Sequence, residues 1–179
     1  MKTAFIGHRQ IFVKDISDRL ICAIQTEIKN GCTMFTMGTH GTFDKLALNS
    51  CRRLRQIYSD IQIEVVITSL NMIKKNSEFD TAPYADIASV MYEIEDVHYK
   101  RQITLSNKQM IDTCDTLICY VNTSEYRSGA KTALRYAEKR GLKIINLFRN
   151  EDRPFYGMSK EQKHEYWKNL CEQILSHNN

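Results

Sequence analysis

Five residues that could bind a ligand lie close together in the first third of this chain: Gly38, Thr39, Gly41, Thr42 and Asp44. Glycine lets the backbone approach a ligand closely, and free amides at the start of a following helix favour anions. The threonine hydroxyls add donors, whereas Asp44 could cap that helix or accept from a ribose hydroxyl or a base. A turn that needs one glycine for its geometry alone is the alternative interpretation.

A second polar loop, Gly7, His8 and Arg9, follows a short apolar run near the N-terminus. The Arg9 guanidinium could pair with a phosphate or carboxylate through two parallel hydrogen bonds. His8 could bond a ligand or act as an acid or base near neutral pH. The alternative interpretation is a surface turn in which His8 and Arg9 are solvated and bind no ligand.

A third loop contains Asn122, Ser128, Gly129 and Thr132. Ser128 precedes a predicted helix, so the amides there could face a second anion, or Ser128 could act only as a helix cap. All three loops follow predicted strands, and ligands of parallel α/β proteins bind beyond the strand C-termini. We therefore expect the three loops to line one crevice. Tyr99, Lys100 and Arg101 could reach it too, although nothing in their spacing requires this.

The elements that position these loops alternate between strand and helix along most of the chain. Apolar patterns predict strands over 2–6, 33–37, 61–67, 116–121 and 143–148, and helices over 16–30, 42–58, 104–113 and 128–140. Asp15 is the predicted cap of the first helix, and Leu46, Ala47, Leu54 and Ile57 form the inward face of the second. This order predicts an α/β fold, a Rossmann-like three-layer sandwich with a mostly parallel central sheet.

The remaining segments are less regular. Residues 79–83 are predicted as a loop, and Ile87, Val90, Met91 and Ile94 have the spacing of a short helix. Ser159 and Gln162 have the spacing of a capping box, which predicts the start of a final amphipathic helix. The predicted packing face of this helix is Tyr166, Trp167, Leu170, Ile174 and Leu175. We expect a single Rossmann-like domain over 1–179, with 150–179 as a C-terminal helical extension.

The composition indicates an ordinary globular protein, with 42% hydrophobic and 26% charged residues. No apolar run approaches the roughly 18 residues of a membrane helix, and the N-terminal one is too short for a signal peptide. We therefore expect a cytoplasmic protein with no membrane partner. Its six cysteines form no C-x-x-C pair and are predicted to be reduced core residues, with no metal site.

The charge pattern argues against a nucleic-acid partner. The formal net charge is only +4 and the basic residues are dispersed. The densest run, residues 51–55, has helical spacing and favours a solvated helix face. Proteins that bind single-stranded DNA need a cationic track with stacking aromatic side chains.

Four motifs taken together resemble the SLOG superfamily, in particular its YpsA-like branch of bacterial and phage proteins. They are Phe5–Arg9, Met37–Asp44, Met110–Asp115 and Ser128–Thr132, and the resemblance spans about residues 2–148 in the same order and spacing. It implies a Rossmann-like fold whose glycine loops bind a nucleotide or nucleotide-derived ligand. It also favours a homodimer, because related SLOG proteins often self-associate. We expect no required cofactor.

The same resemblance implies which residues bind the ligand. They are Gly7, His8 and Arg9 in the first loop, Gly38, Gly41 and Asp44 in the second, and Ser128, Gly129 and Thr132 in the last. The cytokinin-activating LOG enzymes of this superfamily carry a glutamate where this chain has Arg135, and a guanidinium cannot replace a general acid or base. Ser106 and Asn107 stand where the YpsA-like branch usually has Arg-Asn, so one candidate phosphate contact is absent.

Three functional hypotheses follow. The leading one is a sensor or accessory protein that binds a nucleotide-derived ligand. The alternative is a hydrolase acting on an N-glycosidic or phosphate bond, with Asp44 or His8 as acid or base, although the catalytic residues remain unassigned. The third, by analogy with the DNA-processing DprA proteins of the superfamily, is single-strand DNA binding.

Overall fold

Six strands form one parallel sheet: β1 (Lys2–Gly7), β2 (Met34–Met37), β3 (Gln62–Ile67), β4 (Ile87–Val90), β5 (Thr116–Tyr120) and β6 (Lys143–Asn146). Their order is β4-β3-β2-β1-β5-β6. β2, β3 and β4 therefore follow one another on one side of β1, whereas β5 and β6 lie on its other side. The strand order reverses between β1 and β5, and this reversal marks the usual ligand crevice of such sheets.

Four α-helices connect these strands in the described residues: α1 (Ile16–Lys29), α2 (Thr42–Arg55), α3 (Tyr99–Asp112) and α4 (Gly129–Lys139). α1 packs against α2, and α3 packs against α4. Right-handed crossovers place the two pairs on opposite faces of the sheet, because the chain crosses it in opposite directions. The predicted Rossmann-like three-layer α/β class is confirmed.

The two faces of the sheet have different cores. Phe5 of β1 packs toward α2, with its ring centroid 6.1 Å from that of Phe35 and 6.5 Å from that of Phe43. The neighbours of Phe5 in β1, Ala4 and Ile6, point the other way into an apolar cluster with α3 and α4. This alternation is the period-2 pattern of a strand that is buried on both faces.

The computed structural model describes residues 1–11, 13–68, 85–91, 97–124, 128–153, 159, 161, 162, 164 and 165. Chain contacts divide the protein into two compact units, Met1–Phe148 and Arg149–Asn179. In the second unit, Ser159 N donates to Gln162 Oε1 (2.8 Å) and Gln162 N donates to Ser159 Oγ (3.2 Å), which confirms the predicted capping box. The predicted loop 79–83 and the face from Tyr166 to Leu175 lie outside the described residues. Among those described, no helix is long and apolar enough to cross a membrane.

The segment around Ile87 is a strand, and the prediction of a helix there was wrong. Ile87 pairs with Glu64 and Val90 pairs with Ile67, so β4 extends the sheet beyond β3. An apolar run this short is compatible with the periodicity of a helix and with that of a strand. The segment forms a strand because the edge of β3 supplies backbone hydrogen-bond partners for it. Met91 continues the pairing through its N–H, which donates to Ile67 O at 3.0 Å. Ile94 lies outside the described residues.

Several helix ends also differ from prediction. Asp15 is the residue before α1, but its carboxylate accepts from Arg19 Nε (2.8 Å) and makes no cap hydrogen bond. α2 ends at Arg55, which leaves Ile57 outside the helix and 71% exposed, not inward. α3 begins at Tyr99, five residues earlier than predicted. Cys22 is exposed on α1, so it is not the core residue that the sequence predicted.

Candidate functional site

A cavity of about 500 Å³ lies at the C-terminal ends of β1, β2 and β5. The loops after these three strands line it, and the first turns of α3 form a further wall. Its volume is within the range of small-molecule sites, and it sits where the strand order reverses. The three loops that the sequence predicted to share a crevice are therefore brought together.

The first loop is held in place by His8. The backbone N–H of His8 donates to Tyr120 O (3.2 Å), and its Nε2 accepts from Asn122 N (2.8 Å). A ring nitrogen that accepts a hydrogen bond is unprotonated, so this geometry describes a neutral imidazole that joins the loops after β1 and β5. A side chain at Gly7 would overlap the Phe43 ring, so α2 requires glycine here.

The second loop supplies its own anion. Asp44 Oδ2 accepts from His40 N (2.8 Å) and Gly41 N (3.0 Å), which confirms the predicted capping role. The Thr42 N–H is also engaged, since it donates to Arg9 O at 2.9 Å and ties this loop to the first. The expectation that this loop offers free amides to an anion is therefore wrong for these three groups.

Two ionisable side chains of this loop line the cavity with shifted pKa values. Burial raises the pKa of Asp44 from 3.8 to about 6, although the hydrogen bonds from His40 N and Gly41 N oppose the shift. Burial and, to a smaller extent, the positive charge of Arg9 together lower the pKa of His40 from 6.5 to about 4. His40 Nε2 lies 3.3 Å from Thr68 Oγ1. At pH 7 this part of the cavity therefore contains an ionised carboxylate beside a neutral imidazole.

The third loop ends in a helix start that is capped by a hydroxyl. Ser128 Oγ accepts from Lys131 N (3.0 Å), which confirms the predicted N-cap. Gly129 and Ala130 line the cavity, and their N–H groups donate to no group in the described part of the chain. The positive end of α4 therefore faces the cavity with two backbone donors available.

The α3 wall consists of residues that share one helix face: Tyr99, Lys100, Ile103, Thr104 and Asn107. Tyr99 and Lys100 were predicted only as residues that could reach the crevice, and Ile103 and Thr104 had no predicted site role, because α3 was predicted to begin only at residue 104. Arg101 is exposed and does not line the cavity. The signal that could have shown the wall is His98, which precedes α3 and accepts from Lys100 N at 3.4 Å.

The structure does not bring all the predicted site residues to the cavity. Gly7, His8, Arg9, Gly38, Gly41, Asp44, Ser128 and Gly129 line it, whereas Thr39, Thr42, Asn122 and Thr132 do not. Asn122 instead shapes its own loop, because its Oδ1 accepts from Ser124 N at 3.0 Å. The Thr132 hydroxyl donates to Ser128 O at 3.1 Å within α4. His40 is the opposite case, because it lines the cavity although it was not among the residues that the sequence predicted to bind a ligand.

The basic run of α2 is separate from the cavity. Arg52 and Arg53 are exposed in its last turn. Arg55 is paired with Asp86 beside β4 (2.5 Å between Nη1 and Oδ1). This arrangement is a solvated helix face, as the sequence predicted.

A scan against protein-family models and a search of curated proteins found no match to this chain. The resemblance to the SLOG superfamily therefore remains a prediction from its motifs.

Proposed function

We propose that this chain binds a nucleotide or nucleotide-derived ligand in the cavity and acts as a sensor or accessory protein. The observation that carries the proposal is the convergence of the loops after β1, β2 and β5 with α3 at the reversal of strand order. Ligands of open parallel sheets bind at this position. A cavity of about 500 Å³ is large enough for a nucleotide.

The charges around the cavity support a ligand with an anionic end and a hydrogen-bonding end. The amides of Gly129 and Ala130, with Arg9 and Lys100, are donors suited to a phosphate. Asp44 is an acceptor suited to a ribose hydroxyl or a base amino group, because only its Oδ2 is used by the loop. A nucleotide carries both kinds of group.

The first test is a thermal-shift screen against nucleotides, cyclic nucleotides and ADP-ribose derivatives. A ligand at about one hundred times its Kd adds roughly 2.7 kcal/mol to the free energy of unfolding. For a chain of this length, this raises the Tm by about 2–4 °C per kcal/mol. We expect a rise of several degrees for one class of ligand. A flat response to the whole panel would contradict the proposal.

Gly38→Val is the variant that separates binding from folding. A Cβ at Gly38 would lie 3.6 Å from Asp44 Oδ2, which is an ordinary contact, so the backbone accepts a side chain at this cavity-lining position. We expect this variant to keep its unliganded Tm within a few degrees and to lose the ligand-induced shift. Gln62→Val is the control, because Gln62 is exposed at the opposite end of β3. It should retain the shift.

A second candidate function is hydrolysis of an N-glycosidic or phosphate bond, with Asp44 as acid or base. The observation that favours it is the pKa of Asp44, about 6, in the cavity wall. His8 is a weaker candidate because its Nε2 already accepts from Asn122 N. Chromatography of a nucleotide panel after hours of incubation tests this candidate. Product formed by the wild type and not by Asp44→Asn would support it, and an intact panel would contradict it.

A further inference from the structure

Tyr99 is an exposed aromatic side chain in the wall of the cavity. Four large hydrophobic side chains in the described residues are exposed: Met1, Ile57, Ile87 and Tyr99. Of these, only Tyr99, at 45% exposure, lines the cavity. It is also the only Phe, Tyr or Trp among the described lining residues. The ring of Tyr99 therefore presents apolar surface to a ligand in the cavity.

The position of Tyr99 is fixed by the start of α3. His98 is the N-cap, and its carbonyl accepts from Arg101 N (2.8 Å) and Gln102 N (3.1 Å). The His98 ring also packs against the Tyr99 ring, with centroids 5.0 Å apart and planes tilted by 42°. These contacts restrict the Tyr99 ring before any ligand arrives, which lowers the entropic cost of using it.

One turn further along α3, Ile103 is half-buried and lines the same wall. Side chains four residues apart lie next to each other on a helix, so Tyr99 and Ile103 form a continuous apolar strip. Lys100 and Thr104 form a polar row beside it. The wall thus combines a surface suited to a flat apolar ring with donors suited to polar groups.

We propose that Tyr99, supported by Ile103, is the platform on which the aromatic base of the ligand stacks. The inference rests on the proposed function and narrows it, because a stacking platform selects ligands that carry a base over sugar phosphates. Every base has a π-face, so stacking on a tyrosine tolerates any base while it rejects a ligand without one. Tyr99 acts as a binding residue here, independently of any acid or base chemistry at Asp44.

Isothermal titration calorimetry tests this with the four common ribonucleoside 5′-monophosphates and with ribose 5-phosphate, which lacks the base. The proteins are the wild type, Tyr99→Ala and Tyr99→Phe. We expect Tyr99→Ala to weaken binding of at least one nucleotide by about 10-fold or more, because stacking contributes at this level. Ribose 5-phosphate binding should change by less than about 2-fold. Tyr99→Phe keeps the ring and should bind that nucleotide within about 2-fold of the wild type.

Each other result overturns the inference in a recognisable way. Nucleotides that bind the wild type and Tyr99→Ala equally would remove the platform and leave the proposed function intact. An equal loss for nucleotide and ribose 5-phosphate would show that the ring only shapes the cavity. Failure of all four nucleotides and of ribose 5-phosphate to bind the wild type would overturn the inference together with the proposed function for this class. Because Tyr99 is half-exposed, the Tm of Tyr99→Ala should stay close to that of the wild type, which excludes unfolding as the cause.

Discussion

Two helices begin at the edge of the same cavity, and their N-termini are satisfied in opposite ways. At α2, the carboxylate of Asp44 accepts from the N–H groups of His40 and Gly41. At α4, a neutral hydroxyl, Ser128 Oγ, accepts from Lys131 N. The first helix start thus carries its own negative charge into the cavity, whereas the first turn of the second contains no acidic residue that could neutralise the positive end of its dipole.

This difference shows that glycine spacing alone does not identify an anion site. Both helix starts follow a strand and contain glycine at the cavity edge. The residue in the third helical position separates them, since it is Asp44 in α2 and Lys131 in α4. An acidic residue at this position can fold back and occupy the amides that a phosphate would need. We therefore expect an anion at α4 and a hydrogen-bond donor at α2.

The largest expected effect is the loss of stability in Gly41→Ala, compared with the same substitution at Gly129 in the other helix start. A Cβ at Gly41 would lie 2.9 Å from Arg9 Cα, which is backbone and cannot move aside cheaply. Gly41→Ala should therefore lower the free energy of unfolding by about 2–3 kcal/mol, since it forces the first two loops apart. A Cβ at Gly129 meets nothing within 4 Å, so Gly129→Ala should change it by less than about 1 kcal/mol. Urea unfolding measures both, and equal losses would contradict this reading of the two helix starts.

Ser128→Asp converts the α4 start into one that resembles α2. Aspartate caps helices about as well as serine, so the free energy of unfolding should change by less than about 0.5 kcal/mol. The new charge lies beside the Gly129 and Ala130 amides and competes with the ligand for them. We expect the affinity for a nucleotide phosphate to fall by about 10-fold or more, which corresponds to about 1.4 kcal/mol. Ser128→Thr is the control and should bind normally, and unchanged affinity in Ser128→Asp would place the anion elsewhere.

Much of this comparison was predictable from sequence, but the decisive part was not. The strand order and the meeting of the three loops follow from apolar runs and the geometry of parallel crossovers, which depend on residue type. The state of Asp44 depends on where one carboxylate points, and the same spacing allowed a cap or a ligand contact. The start of α3 was predicted five residues too late because its first turn, from Tyr99 to Gln102, is polar and aromatic and has no periodic apolar residues. β4 was missed because a run of four residues fits both periods.

The pH dependence of stability should report the charge at the α2 start. The pKa of Asp44 in the folded chain, about 6, lies above its ordinary value of 3.8, so the proton binds the folded state more tightly. The burial of this charge therefore destabilises the fold above about pH 6, and stability is regained as the pH falls through 6. Between pH 7.5 and pH 5, the contribution to the free energy of unfolding should rise by about 1 kcal/mol.

The measurement is the difference in unfolding free energy between the wild type and Asp44→Asn at each pH. Asparagine keeps one oxygen for both amides, because His40 N and Gly41 N donate to the same atom, but it cannot ionise. The difference is needed because the lowered pKa of His40 acts in the opposite direction, with stability lost as the pH falls below about 6.5. Burial raises the pKa of Glu27, but the hydrogen bonds from Lys143 and Thr116 outweigh burial and lower this pKa overall. Protonation of Glu27 therefore reduces the free energy of unfolding only at more acidic pH. A difference that stays constant from pH 7.5 to 5 would show that Asp44 is not shifted.

The smallest expected effect is at Thr132, which tests whether the resemblance or the geometry describes the α4 start better. The resemblance implies that Thr132 binds the ligand, but its hydroxyl donates to Ser128 O on the exposed side of α4 and does not line the cavity. Thr132→Val removes only this hydroxyl. We expect a loss of less than about 0.5 kcal/mol in unfolding free energy, typical of an exposed site, and a nucleotide affinity within about 2-fold of the wild type. A loss of 5-fold or more by calorimetry would mean that the anion extends around the first turn of α4, and that Ser128, Gly129 and Thr132 bind it together as the motif implies.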